Sequence, residues 1–153
     1  MNTQRIEFHY DFGSPNAYLS HRVLPQIAQR TGAAIEYVPI LLGGVFKATN
    51  NRSPMEQFAE VKNKPEYQRR ETERFIAKHK LEAFSRNPHF PVNTIALMRG
   101  AVYARGKGWE SDYIEAMFTA MWERGLNMAD AEESKSSSGH SSVTNVLPLG
   151  LTE

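Results

Sequence analysis

Gly13-Ser14-Pro15 is where this 153-residue chain is best equipped for chemistry, because an alternating strand pattern (Ile6, Phe8, Tyr10, Phe12) gives way there to a helical one. Ser14 can cap the new helix through its side-chain oxygen, and Pro15 suits the first helical position, whose N–H would be unpaired anyway. One hydroxyl thus sits at a helix N-terminus and at the carboxyl end of a strand, a common ligand position in parallel α/β folds. Free N–H groups and the positive end of the helix dipole favour an anion there, and a thiolate is an anion. Ser14 is the catalytic candidate. A plain N-cap accounts for the same tripeptide, and taken alone Ser-Pro before a helix is more often only that. The chain has no cysteine. Disulfide exchange by protein thiols, cysteine nucleophiles and thiolate metal sites are therefore excluded, and any sulfur chemistry needs a thiol brought by a ligand.

Other polar residues have weaker claims. Lys47 and Asn51 lie in a stretch whose start should come close to Ser14, where they could meet a ligand carboxylate and peptide groups; ordinary surface-loop residues would look the same. His9 and His89 are available as acid or base, but a strand histidine and a proline-flanked loop histidine are more often structural. Arg70, Arg74 and Lys78 share a helix face that Glu71 and Glu73 interrupt, with no aromatic residues alternating, so nucleic-acid binding ranks low. The 18 basic and 17 acidic residues leave a net charge of +1, which favours a small-molecule partner over nucleic acid or a membrane surface. No window approaches the roughly 20 apolar residues of a membrane span, and the N-terminus has no signal-peptide pattern, so a cytoplasmic protein is expected.

The elements that must position these residues follow from periodicity. At 41% hydrophobic residues the chain suffices for one domain. Residues 4–12 read as a strand, Pro15 to about Arg30 as a helix stopped at Thr31-Gly32, and Ala34–Leu42 as a second strand buried on both faces. Gly43-Gly44 should close that strand before a polar loop through Pro54. Helices are expected over Pro65–His79, with Glu66 and Arg70 paired at i,i+4, over Val92–Arg105 and over Asp112–Glu123. Ile114, Met117, Phe118, Met121 and Trp122 fall at core spacing, and the two prolines of Asn87–Thr94 impose an extended entry. After Asp130 a Ser-rich stretch, 131–153, should be disordered, with no core strand in 143–151.

The segments DFGSPNAYL (11–19), PILLGGVFKATNN (39–51), KNKPEY (62–67), NPHFPVNTIALMRGA (87–101) and MWERGLNMAD (121–130) together resemble the 2-hydroxychromene-2-carboxylate isomerase family. That family belongs with kappa-class glutathione transferases and the DsbA-like proteins. The resemblance implies an α/β fold: a thioredoxin-like βαβ unit in residues 1–130 with a helical insertion over about 45–125. It implies glutathione bound beside Ser14, whose hydroxyl bonds the sulfur and lowers the thiol pKa. Reversible thiolate addition would then let a double bond turn during aromatic compound catabolism. Lys47, Asn51 and Lys64 match the family's glutathione-side residues, while Asn87, Pro88 and Asn93 fall in its signature near the substrate, either touching ligand or shaping the loop. The family's C-terminal ββα half, with its cis-proline loop, is not matched, so the chain reads as truncated after about residue 130. A homodimer covering the orphaned face is one expectation that follows. The alternatives are a kappa-class-like glutathione transferase and a catalytically dead remnant.

Overall fold

The computed structural model describes residues 4–130. The stretch expected to be disordered, 131–153, lies outside the described residues. In order come β1 (Arg5–Tyr10), α1 (Pro15–Thr31), β2 (Ala34–Pro39), α2 (Leu42–Ala48), α3 (Pro54–Gln57), α4 (Lys64–His79), α5 (Ile95–Ala104) and α6 (Glu110–Trp122). The strands pair in parallel from Arg5 beside Ala34 to Tyr10 beside Pro39, and α1 connects them as a βαβ unit. Gly32 ends α1 at φ 72°, a left-handed conformation that glycine adopts at little cost, while its N–H closes on the Ala28 carbonyl.

The two-residue period of β1 decides which side of the sheet is covered. Arg5, Glu7 and His9 are exposed, whereas Phe8 and Tyr10 turn with Tyr37 into an aromatic group with ring centroids 5.3–5.9 Å apart. That group packs on α6, whose Ile114, Met117, Phe118, Met121 and Trp122 are all buried as their spacing predicts. Gly100 lets α5 approach α6: a Cβ there would lie 2.2 Å from the Tyr113 hydroxyl, which donates to the Leu97 carbonyl.

Three local expectations are corrected. No residue of β2 is fully buried, because among the described residues the sheet has two strands and is covered on one face only. Gly43-Gly44 do not close a strand but lie inside α2, whose first N–H, from Leu42, is taken by the Asp11 carboxylate at 2.8 Å. A cap supplied from another element outweighs the weak helix propensity of two glycines. Helix α5 begins at Ile95 and not at Val92, because Asn93 Oδ1 accepts from Ile95 N–H at 3.1 Å and sets the first turn there. The bond between Phe90 and Pro91 is cis. No helix among the described residues is long and apolar enough to cross a membrane.

Candidate functional site

Ser14 caps α1 in extended conformation, at φ −95° and ψ 116°, with its Oγ accepting from Ala17 N–H at 3.2 Å. Its backbone N–H closes the turn on the Asp11 carbonyl at 3.0 Å. An oxygen that accepts from the helix keeps its own O–H to donate, and no acceptor for it exists among the described residues. The side chain is half-buried. A free donor at a helix N-terminus is suited to an incoming anion.

Asp11 organises the surroundings. It is 5% exposed, and its carboxylate accepts from Gly13 N–H at 2.9 Å, Leu42 N–H at 2.8 Å and the Thr94 hydroxyl at 2.7 Å. These three donors belong to the Ser14 turn, the start of α2 and the entry to α5. The segments touch closely: a Cβ on Gly13 would lie 3.1 Å from Thr94 Cγ2 and 3.8 Å from the Val92 carbonyl oxygen. From beneath, the Trp122 indole N–H donates to the Phe12 carbonyl at 2.7 Å and fixes the turn to the end of α6.

The expected site residues divide. Ser14, the start of α2 and the 92–94 segment are brought together through Asp11. Lys47 is exposed in the last turn of α2, five residues beyond Leu42 and so about 7.5 Å along the axis. Asn51 is exposed, its Oδ1 accepts from Arg52 N–H, and it lines an open cleft of about 490 Å³ with Asn50, Glu56 and Glu60. Lys64 starts α4 with its Nζ 5.3 Å from the Phe58 ring and 5.4 Å from that of Tyr67, a cation–π arrangement. Asn87 is 5% exposed; its amide donates to the carbonyls of Met121 and Leu126 and accepts from His89 N–H, so it shapes the loop. Pro88 is exposed and packs toward Gly125, where a Cβ would meet its Cδ at 3.2 Å. Asn93 is exposed, and its Oδ1 accepts from Ile95 N–H where α5 begins. His9 is exposed beside Glu7, and His89 is exposed in its loop.

Sequence reading passed over His21, on the buried side of α1. Its Nδ1 lies 2.7 Å from the Tyr37 hydroxyl and its Nε2 3.0 Å from Glu115. Arg22 bonds Glu115, Thr119 and Glu123, completing a polar seam between α1 and α6. Burial holds the His21 pKa below its ordinary value despite Glu115, and pushes the Tyr37 phenol up to about 12. Burial alone would raise the Glu115 carboxyl, but hydrogen bonds from His21 and Arg22 bring it below the usual range. The signal available in sequence was a histidine among the apolar positions of α1, which periodicity ignores.

A parallel βαβ unit followed by helices, with a polar capping turn after the first strand, defines the class. The DSBA-like thioredoxin domain model matches residues 5–139, and the chain belongs to that family. It is 32% identical over 133 residues to the 2-hydroxychromene-2-carboxylate isomerase of Sphingobium xenophagum, covering 86% of this chain and 65% of that protein. The protein of the same name in Pseudomonas putida is 27% identical over 123 residues, 79% of this chain and 57% of that one. Glutathione S-transferase kappa 1 of Caenorhabditis elegans is 39% identical over 51 residues, 33% of this chain and 23% of that one. A solved structure of 2-hydroxychromene-2-carboxylate isomerase superposes with a TM-score of 0.63 at 25% identity, over 94% of this chain and 71% of that one. The chain spans less than two thirds of the length of these curated relatives.

Proposed function

We propose that this chain acts as a glutathione-dependent cis-trans isomerase on a ring-opened aromatic-catabolism intermediate of the 2-hydroxychromene-2-carboxylate type. The observation that carries the reading is the Ser14 hydroxyl, which accepts from Ala17 and keeps its proton to donate. Relatives bearing the isomerase and kappa-transferase names support the choice of ligand and substrate class. The donor set fits a thiol ligand: the chain has no thiol of its own and offers a hydroxyl and a helix N-terminus to a sulfur anion.

Bound glutathione would supply a thiolate able to add reversibly to a conjugated carbon. Ser14 holds that anion by donating a hydrogen bond to the sulfur, its proton staying on Oγ, and each pKa unit of lowering corresponds to about 1.4 kcal/mol of preference for the charged form. Lys47 and Asn51, both exposed, are the residues assigned to ligand carboxylate and peptide groups, and Pro88 and Asn93, also exposed, are those assigned to the substrate side. Lys64 is the further cation assigned to glutathione, and Asn87 fixes the loop that leads to α5.

The test follows absorbance of a hydroxychromene carboxylate with and without glutathione. Ser14→Asp keeps a capping oxygen but has no proton to give the sulfur, so it should remain folded and lose the glutathione-dependent rate roughly 10- to 100-fold. Equal rates for wild type and variant would sink the reading. A stable glutathione conjugate by mass spectrometry would move the activity to the transferase class that the kappa match represents.

A further inference from the structure

We infer that Asp11 is a positioning residue for the ligand site, holding α2, and with it Lys47, against the Ser14 turn. The inference rests on the glutathione reading above. Among the described residues Asp11 pairs with no cation: the partners of its carboxylate are two backbone N–H groups and one hydroxyl, each from a different segment bordering Ser14. Oδ1 serves Gly13 and Thr94, while Oδ2 serves Leu42 alone. Helix α2 has seven residues, buries none of its side chains and makes no side-chain cap of its own. Its placement relative to Ser14 therefore depends on the Leu42 bond to a degree that a well-packed helix would not show. The hydroxyl of Ser14, by contrast, is set by α1 and needs nothing from Asp11's side chain.

This division of labour is testable. An amide has one acceptor oxygen where a carboxylate has two, so Asp11→Asn must leave either Leu42 N–H or Gly13 N–H facing an NH2 group. In the ligand-free protein, hydrogen exchange should accelerate at least about ten-fold at one of those amides and along α2, while the amides of α6 keep wild-type protection. Calorimetric affinity for glutathione should weaken roughly ten-fold, and KM for glutathione should rise with it. The thiol pKa of bound glutathione, read by thiolate absorbance, and kcat at saturation should stay at wild-type values, because the bond that seats the Ser14 hydroxyl on Ala17 N–H does not use the Asp11 side chain. Thr94→Val serves as the milder variant: it removes only the α5 donor and should leave Leu42 protected.

Faster exchange throughout α6 would mark Asp11 as a general stability residue and overturn the inference. So would unchanged glutathione affinity in Asp11→Asn. If the wild type itself gives a flat glutathione titration, the functional reading fails, and the assignment of Asp11 to that ligand fails with it.

Discussion

Ser14 performs two tasks with one oxygen, and the substitutions that separate them are informative. Ser14→Ala removes the cap as well as the donor and should cost about 1 kcal/mol of stability in urea unfolding, whereas Ser14→Asp should not. Asn87 is the opposite case, a polar residue whose function is internal. Asn87→Ala strips hydrogen bonds from two carbonyls and from His89 N–H, and should destabilise by roughly 2–3 kcal/mol. Gly100→Ala should be at least as harmful, because the new methyl group displaces Tyr113 from the Leu97 carbonyl; a thermal midpoint equal to wild type would contradict the packing described. At this scale Ser14 was legible, since strand-to-helix grammar is local. Asp11 and His21 were not, because all of their partners but Gly13 lie 16 to 94 positions away.

Among the elements, α1 and α6 were readable from their apolar spacing and α2 was not. Two glycines and a polar run look like a loop until the Asp11 carboxylate arrives to cap them. Along α1, Tyr18, Leu19, His21 and Val23 are buried, while Leu24, Ile27 and Ala28 are only partly so. Its contact with α6 runs through the His21, Arg22 and Glu115 seam, which makes stability depend on pH. His21 has a folded pKa below its ordinary 6.5, so the unfolded chain binds the proton more readily. Its contribution is complete above 6.5 and is lost as pH falls toward the folded value. Glu115, held below its ordinary 4.5, adds a second loss in more acid solution. Urea midpoints should therefore drop between about pH 7.5 and 5.5, and His21→Gln should flatten that first decline.

For the molecule as a whole, the decisive feature is a sheet covered on one side. In the parallel ladder the carbonyls of Gln4 and Tyr10 accept from Ala34 and Ile40, so the N–H groups of Glu7 and His9 point away from β2. No described residue pairs with them. Hydrogen exchange should accordingly be fast at Glu7 and His9 and slow at Phe8 and Tyr10. Strong protection at the outward pair would reveal a strand from residues beyond 130 or from a second copy, which sedimentation would distinguish.

The sequence by itself determined the βαβ order, the core face of α6, the position of Ser14 at a helix start and the absence of a protein thiol. Each of these depends on residue type or on spacing within a few positions. Only the tertiary structure decided that Gly43-Gly44 join a helix, that Asn87 is internal and Lys64 lies over two rings, and that one buried carboxylate gathers three segments beside Ser14. Those outcomes depend on donors and acceptors distant in sequence. Hydrogen bonds leave no periodic trace, so pattern alone could identify the serine but not the residue that assembles its surroundings.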